Sequence, residues 1–334
     1  MGEKGASVAG PWYPFAGPSC PTPHSQHMRR VVLLGPQRFE PCVAPALEAV
    51  GCTGMLAVVT AGWQEREAEV DELAAHVERD VVHLRLYDRA ESALADDPEL
   101  AEALRQRQEE LQQLQELYRL RLTLALRALV DLMGRDGPFV AEHRRDALRV
   151  VRALDRQHVG RMRRLGAAFA ARWRPTDRSS IAHHRSQIRA ALDRASALAI
   201  AGGHVAVLLN RLRLFGVLDL APQLPIVAWS AGAMALGQRV VLFHDDPPQG
   251  PGQAEILDAG LAVYPRVVPL PHATRRLRLG EPARVARFAQ RFAPAVCVPM
   301  DSGARIDFDG HDWIAAPGMR CLGTGGDLLE LRTF

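Results

Sequence analysis

The segment Pro225-Ile226-Val227-Ala228-Trp229-Ser230-Ala231-Gly232-Ala233-Met234 restricts this chain more than any other stretch. An apolar run of strand character ends in a serine and passes at once into small residues that open a helix. Small neighbours are what a serine on strained backbone requires, because bulky side chains would clash across so sharp a turn. A strand that feeds straight into a helix predicts an α/β fold with a mostly parallel sheet. The turn projects the Ser230 hydroxyl from the carboxyl end of that sheet and leaves the Ala231 amide free to stabilise an oxyanion. The strict G-x-S-x-G spacing is not met, since Ala228 stands in the first glycine position. Two readings follow: Ser230 as a nucleophile, and Ser230 as the N-cap of a tightly joined helix.

The flanking sequence repeats the same rhythm. Arg30–Gly35 is a short β-branched run ending in glycine, as a central parallel strand should be. A helix near Val43–Val50, a strand at Met55–Thr60, an acidic helix near Glu65–Glu78 and a strand at Val81–Leu86 follow. This β-α-β-α-β order predicts a doubly wound sheet. After Pro175 the pattern resumes with a helix at Ser179–Arg194, strands at Ala197–Ala201, Pro225–Trp229 and Arg239–Phe243, and a helix at Val205–Phe215. The tail from Ala295, with turns at Asp309-Gly310 and Gly323–Gly326, should close the sheet with an antiparallel edge.

Between these halves the strand signal stops. Pro98–Met133 carries Leu104, Leu111, Leu114, Leu117, Leu120 and Leu124 at helical spacing with charges opposite. Gly134–Pro138 is a turn by composition, and Phe139–Trp173 is a second long helix. The expected organisation is a leader at 1–28, an α/β domain from 29–93 and 176–334, and an inserted helical hairpin at 94–175. The hairpin would serve as a lid or as an arm for a homodimer or protein partner through residues 98–173. Its second helix is rich in arginine, read chiefly as a solvated face with local pairs to Asp146 and Asp155 and secondarily as a polyanion face.

Composition sets limits. A net charge of +3 is too small to call for nucleic acid. The five cysteines are scattered without a CxxC pair, which argues against a zinc site or a disulfide framework and fits a reducing cytoplasm. No run approaches a membrane span. The Gly-, Pro- and Ser-rich start lacks a signal-peptide pattern, and Met28 before Arg29-Arg30 is a candidate natural start.

A nucleophilic serine needs a base. His272, in Pro269-Leu270-Pro271-His272, follows an apolar run where a strand end would place it; His204 and His244 are rivals. Asp245 or Asp246, after the strand that follows the elbow helix, is the candidate to orient the imidazole.

Taken in order, Gly202-Gly203, an amphipathic helix, Trp229-Ser230-Ala231-Gly232-Ala233, Asp245 and Pro271-His272 resemble the dipeptidase E and cyanophycinase family of serine peptidases. Gly260-Leu261-Ala262-Val263-Tyr264-Pro265 resembles the family's G-L-x-x-x-P segment before its histidine. Pro299–Ala304 resembles its closing D-E-G-T-A strand, with Ser302 in the acidic position. The resemblance covers about residues 30–87 and 180–334 and leaves out the helical stretch. It implies the class I glutamine amidotransferase-like fold, Ser230 as nucleophile, His272 as base and Asp245 as orienting acid. It also implies an oxyanion hole from the Gly203 and Ala231 amides, with no metal or organic cofactor. The sequence departs from the family at His204-Val205, where a polar pair is usual, and at Ala273–Arg276, where an aromatic is usual. Arg275 or Arg276 would then be the cation for an acidic substrate side chain, with His204 as a further binding residue.

The expected activity is a serine peptidase or amidase acting on a small peptide, including one with an acidic N-terminal residue. The competing expectation is a catalytically silent scaffold of the same fold that engages a partner through its helical arm.

Overall fold

The computed structural model describes residues 29–248 and 252–334; the expected leader, with Met28, lies outside them. The chain opens with β1 (Val31–Leu34), α1 (Val43–Ala49) and β2 (Leu56–Val59). A 3-10 turn at Ala61–Arg66, α2 (Asp71–Val77), β3 (Val81–His83) and α3 (Leu86–Ala95) follow. The two long helices are α4 (Pro98–Met133) and α5 (Val140–Trp173). Then come α6 (Ser179–Leu192), β4 (Ala197–Ile200), α7 (Val205–Phe215), α8 (Val217–Leu220), β5 (Ile226–Trp229) and α9 (Ala231–Leu236). The remainder runs through β6 (Arg239–Leu242), β7 (Glu255–Ala259), β8 (Val267–Pro271), α10 (Ala273–Arg276), α11 (Pro282–Phe292) and β9 (Val296–Met300). Four short strands finish it: β10 (Arg305–Phe308), β11 (Trp313–Ala315), β12 (Arg320–Leu322) and β13 (Leu328–Glu330).

The central sheet has the order β11-β10-β1-β5-β4-β2-β3. Its five middle and far-edge strands are parallel, while β10 and β11 close the near edge antiparallel, as the tail predicted. The runs VVLL, LAVV, ALAI and IVAW are buried along their whole length, which is why they lack alternation. Successive side chains go to opposite faces. Val32, Leu34, Leu56 and Val58 join a core shared with α1 and α2. Val31, Leu33, Ala57 and Val59 join the larger core under α3, α6, α7 and α9. Helices therefore cover both faces, and the molecule is α/β with a mostly parallel sheet and a long helical region.

The strands outside the central sheet pair separately, and one expected helix changes. The apolar run Arg239–Phe243 does not enter the central sheet: β6 pairs antiparallel with β7. β8 and β9 form a separate parallel pair. The acidic helix expected over Glu65–Glu78 is shorter: Glu65 and Arg66 belong to the 3-10 turn, which kinks at Gln64 with φ 59°, and α2 begins only at Asp71.

In the helical region, Asp97 caps α4 by accepting from the Leu100 amide at 3.1 Å, with Pro98 in the first turn. At 36 residues, α4 runs about 54 Å. Its leucines divide between two stripes. Tyr118, Leu122, Leu126 and Leu129 are buried, whereas Leu117, Leu120 and Leu124 stand 62%, 63% and 65% exposed. Asp155, expected as a surface partner on α5, is instead buried and meets Arg291 of α11 at 2.7 Å and the Tyr118 hydroxyl at 2.7 Å. Arg291 also donates to that hydroxyl at 2.9 Å and to the Ala254 carbonyl at 2.6 Å. Both ends of the pair are only 3% exposed, so each charge depends on the other for its solvation.

This knot joins α4, α5, α11 and the strand β7. Asp155→Ala leaves the Arg291 guanidinium buried without its partner and is expected to cost about 3–5 kcal/mol. Urea denaturation of the full chain measures it. A loss below about 1 kcal/mol, the range of an exposed pair, contradicts the role given to Asp155.

Candidate active site

Ser230 closes β5 and occupies the N-cap position of α9 with φ 50° and ψ −118°, a backbone state that a residue with a side chain adopts only under strain. Its hydroxyl makes no capping hydrogen bond, so the N-cap reading does not describe it. The strained turn is held from both sides. A Cβ added at Gly232 would lie 2.3 Å from the Ile200 carbonyl oxygen, so α9 packs onto the end of β4 only because that residue is glycine. Gly203 takes φ 103°, and a Cβ there would lie 2.3 Å from the Gly62 carbonyl oxygen. The His204 amide donates to that same carbonyl at 2.7 Å, fixing the loop after β4 against the loop after β2.

A cleft of about 1140 Å³ opens over this junction. Ser230, His272, Gly203, Ala231 and Arg276 all line it. His272 follows β8 in left-handed backbone at φ 58°, and its amide donates to the Met300 carbonyl of β9 at 3.1 Å. The β8–β9 pair thus delivers the imidazole to the serine side of the cleft. Among the described residues the amides of Gly203 and Ala231 donate to no protein acceptor, and both remain available to a bound oxygen. No hydrogen bond joins Ser230 to His272 among the described residues; apo catalytic pairs commonly tighten only with substrate.

Several sequence candidates are placed elsewhere. His204 is exposed, does not line the cleft, and accepts from the Val207 amide through Nδ1 at 3.3 Å as the cap of α7. His244 and Arg275 do not line the cleft either. Among the described residues neither Asp245 nor Asp246, the candidates to orient the imidazole, is hydrogen-bonded to His272. Asp245 accepts from Arg284 at 2.6 Å and from the Arg278 amide at 2.8 Å, so both carboxylate oxygens are engaged away from His272. Asp246 pairs with the Arg278 guanidinium at the surface. The carboxylate whose field raises the affinity of His272 for a proton is Asp301, which itself accepts from the Thr274 hydroxyl at 2.9 Å.

The imidazole is nevertheless held below its ordinary range. Burial is the largest cause, the Arg276 charge the next, and Asp301 opposes them. Arg276 is itself destabilised as a cation by burial and by Arg275. An imidazole whose protonation is disfavoured and a partly desolvated cation therefore both line the cleft. The opposite wall comes from segments that sequence reasoning assigned no role: Arg38 after β1, Trp63 and Arg66 in the 3-10 turn, and His76 of α2. Their spacing carries no signal, because they converge only when β1 and β2 lie beside β5 and β4.

No family model matches this chain, and no curated protein matches it. Among solved structures it is similar to a peptidase from an acI-B1 Actinobacterium, with 12% sequence identity and a TM-score of 0.46, over 92% of this chain and 97% of the other.

The imidazole environment is testable by proton NMR titration, with the His272 signal assigned from His272→Gln. Arg276→Gln removes a repelling cation and raises the His272 pKa. Asp301→Asn removes an attracting anion and lowers it further. Asp245→Asn leaves it in place, and a shift as large as that of Asp301→Asn would restore Asp245 as the orienting acid.

Proposed function

We propose that this chain is a serine peptidase or amidase that forms an acyl-enzyme on Ser230. The observation that carries the reading is the uncapped Ser230 hydroxyl on strained backbone, facing a cleft that also holds a depressed imidazole and two free amides. The Ser230 oxygen attacks the substrate carbonyl carbon while His272 removes its proton. The Gly203 and Ala231 amides donate hydrogen bonds to the carbonyl oxygen as negative charge grows on it. His272 then returns the proton to the leaving amine. Water, deprotonated by His272, releases the acid and restores Ser230. None of these steps calls on a cofactor.

The finer assignment, a dipeptidase E or cyanophycinase type of enzyme on an amidotransferase-like fold with the helical hairpin as its insertion, rests on the elbow sequence and the order of Gly203, Ser230 and His272. The proposed substrate is a small peptide with an acidic N-terminal residue. Arg276, which lines the cleft, is the better partner for its side-chain carboxylate than exposed Arg275. Free Cys42, Cys52, Cys297 and Cys321 fit work in a reducing compartment such as the cytoplasm. A silent scaffold is the second reading, favoured by the exposed Leu117, Leu120 and Leu124 stripe that would suit a second copy or another protein.

Hydrolysis of dipeptides with acidic, basic and neutral N-terminal residues separates these readings. Wild type is expected to cleave acidic members fastest, and Ser230→Ala to lose on the order of 10⁴-fold or more in kcat. Arg276→Gln should raise KM for acidic substrates about tenfold or more while sparing neutral ones. Cleavage should fall as pH drops through the depressed His272 pKa, since only the neutral imidazole accepts a proton. Folded wild type that cleaves no member of the panel defeats the proposal.

A further inference from the structure

A second cavity, of about 1030 Å³, opens at the root of the helical hairpin among α4, α5, α7 and the Ala259–Leu261 loop. It shares no lining residue with the Ser230 cleft. Six arginines line it against three carboxylates, an imbalance unusual for a space bounded also by Leu104, Met162 and Phe169. Most of these guanidinium groups have partners. Arg105 pairs with Glu102, Arg174 with Asp177, Arg211 with Glu91 and Arg213 with Asp258. Arg163 reaches the Gln238 carbonyl at 3.4 Å.

Arg107 differs. Its Nε is fully buried without a hydrogen-bond partner, and among the described residues it enters no ion pair. Its guanidinium lies 5.2 Å from the centre of the Phe169 ring, which leaves the hydrogen-bonding edge of the fork unused. The Nε of Arg211, in the same lining, is also buried and unpartnered. Burial and the neighbouring charge of Arg213 disfavour the Arg107 cation, and Asp258 opposes them. Buried donors in native proteins are satisfied, and an unpaired buried charge is costly. A planar fork over a ring, with its Nε unpartnered while the neighbouring arginines are already paired, is the arrangement that takes a two-oxygen anion side-on.

We propose that this cavity binds a small organic oxyanion, a carboxylate or phosphate ester bearing an apolar group, with Arg107 as its anchor. The oxyanion takes the free edge of the Arg107 fork, and the apolar part lies against Phe169, Leu104 and Met162. Gly166 of α5 keeps the space open: a Cβ there would meet only the Arg107 Nη2, at 3.9 Å. The proposal does not depend on any activity at Ser230.

Isothermal titration of the full chain with phenyl phosphate, with benzoate, and with phenol as the neutral control tests it. Saturable one-to-one binding is expected for at least one anion and not for phenol, and the tighter anion identifies the head group. Arg107→Gln should weaken that binding about tenfold or more. Gly166→Leu, which keeps Arg107 and fills the space, should weaken it as well, whereas Arg276→Gln in the other cleft should leave it unchanged. Without anion, Arg107→Gln should melt near the wild-type temperature, because it removes a half-buried cation that makes no ion pair among the described residues; lost binding is then not lost folding. The proposal is overturned if neither anion saturates, if Arg107→Gln binds as tightly as wild type, or if Arg276→Gln abolishes binding.

Discussion

The constraint on which the molecule hangs is the backbone crossing at the carboxyl end of β5. There a strand buried on both faces must turn into α9 within one residue, and that residue is forced to φ 50°. The turn survives because α9 lies directly on the Ile200 carbonyl at the end of β4, at a distance that admits no side chain on Gly232. The loop after β4 is in turn locked to the loop after β2 by the His204 amide and the Gly62 carbonyl. Strain at Ser230 is therefore borne by three adjacent strand ends. Sheet order decides this: β5, β4 and β2 are neighbours in space although α4 and α5 separate β2 from β4 in the chain.

The helical region is fastened by a different kind of force. Apolar contact between α4 and α5 would allow the pair to slide along the body, since Leu122, Leu126 and Leu129 present similar surfaces at each turn. The Asp155–Arg291–Tyr118 knot forbids that, because a one-turn slip would strand two buried charges. Tyr118 also stacks on His158 at 4.0 Å, and His158 meets Gln115 at 2.9 Å, so polar groups extend the registration along both helices. Specificity of position here comes from polar pairing within an apolar seam.

What could be read from the sequence follows from these two kinds of force. β1, β2, β4 and β5 were legible because strands buried on both faces must be unbroken apolar runs. The elbow was legible because strain needs small neighbours. β6 was legible as a strand but its partner was not: Arg239–Phe243 is equally apolar whether it joins the central sheet or pairs with β7, and periodicity does not name a partner. The partners of Asp245 were not legible, because the spacing from Ser230 says nothing of Arg284, which takes its carboxylate. Asp155 looked like any charge on an arginine-rich helix face; its partner lies beyond a whole chain segment, on α11. Arg107 was hidden among surface arginines, since a missing partner is visible only in three dimensions.

The two cavities are joined by α7. The helix begins beside the Ser230 cleft, where Val205 lines the wall two residues after Gly203, and its later residues Asn210–Leu214 line the arginine cavity. Leu208, Leu209, Leu212 and Phe215 bury one face of α7 in the larger core, so the helix seats as a unit. The loop carrying the Gly203 amide is thus held at one end by Gly62, and α7 is tied at its other end to the Ala259–Leu261 loop, where Arg213 donates to the Ala259 carbonyl. That loop is itself bound to the elbow helix, through the Leu261 amide on the Ala235 carbonyl at 2.9 Å. Packing around the arginine cavity and geometry around Ser230 therefore meet at α7 and the Ala259–Leu261 loop, while Arg107 itself sits apart on α4.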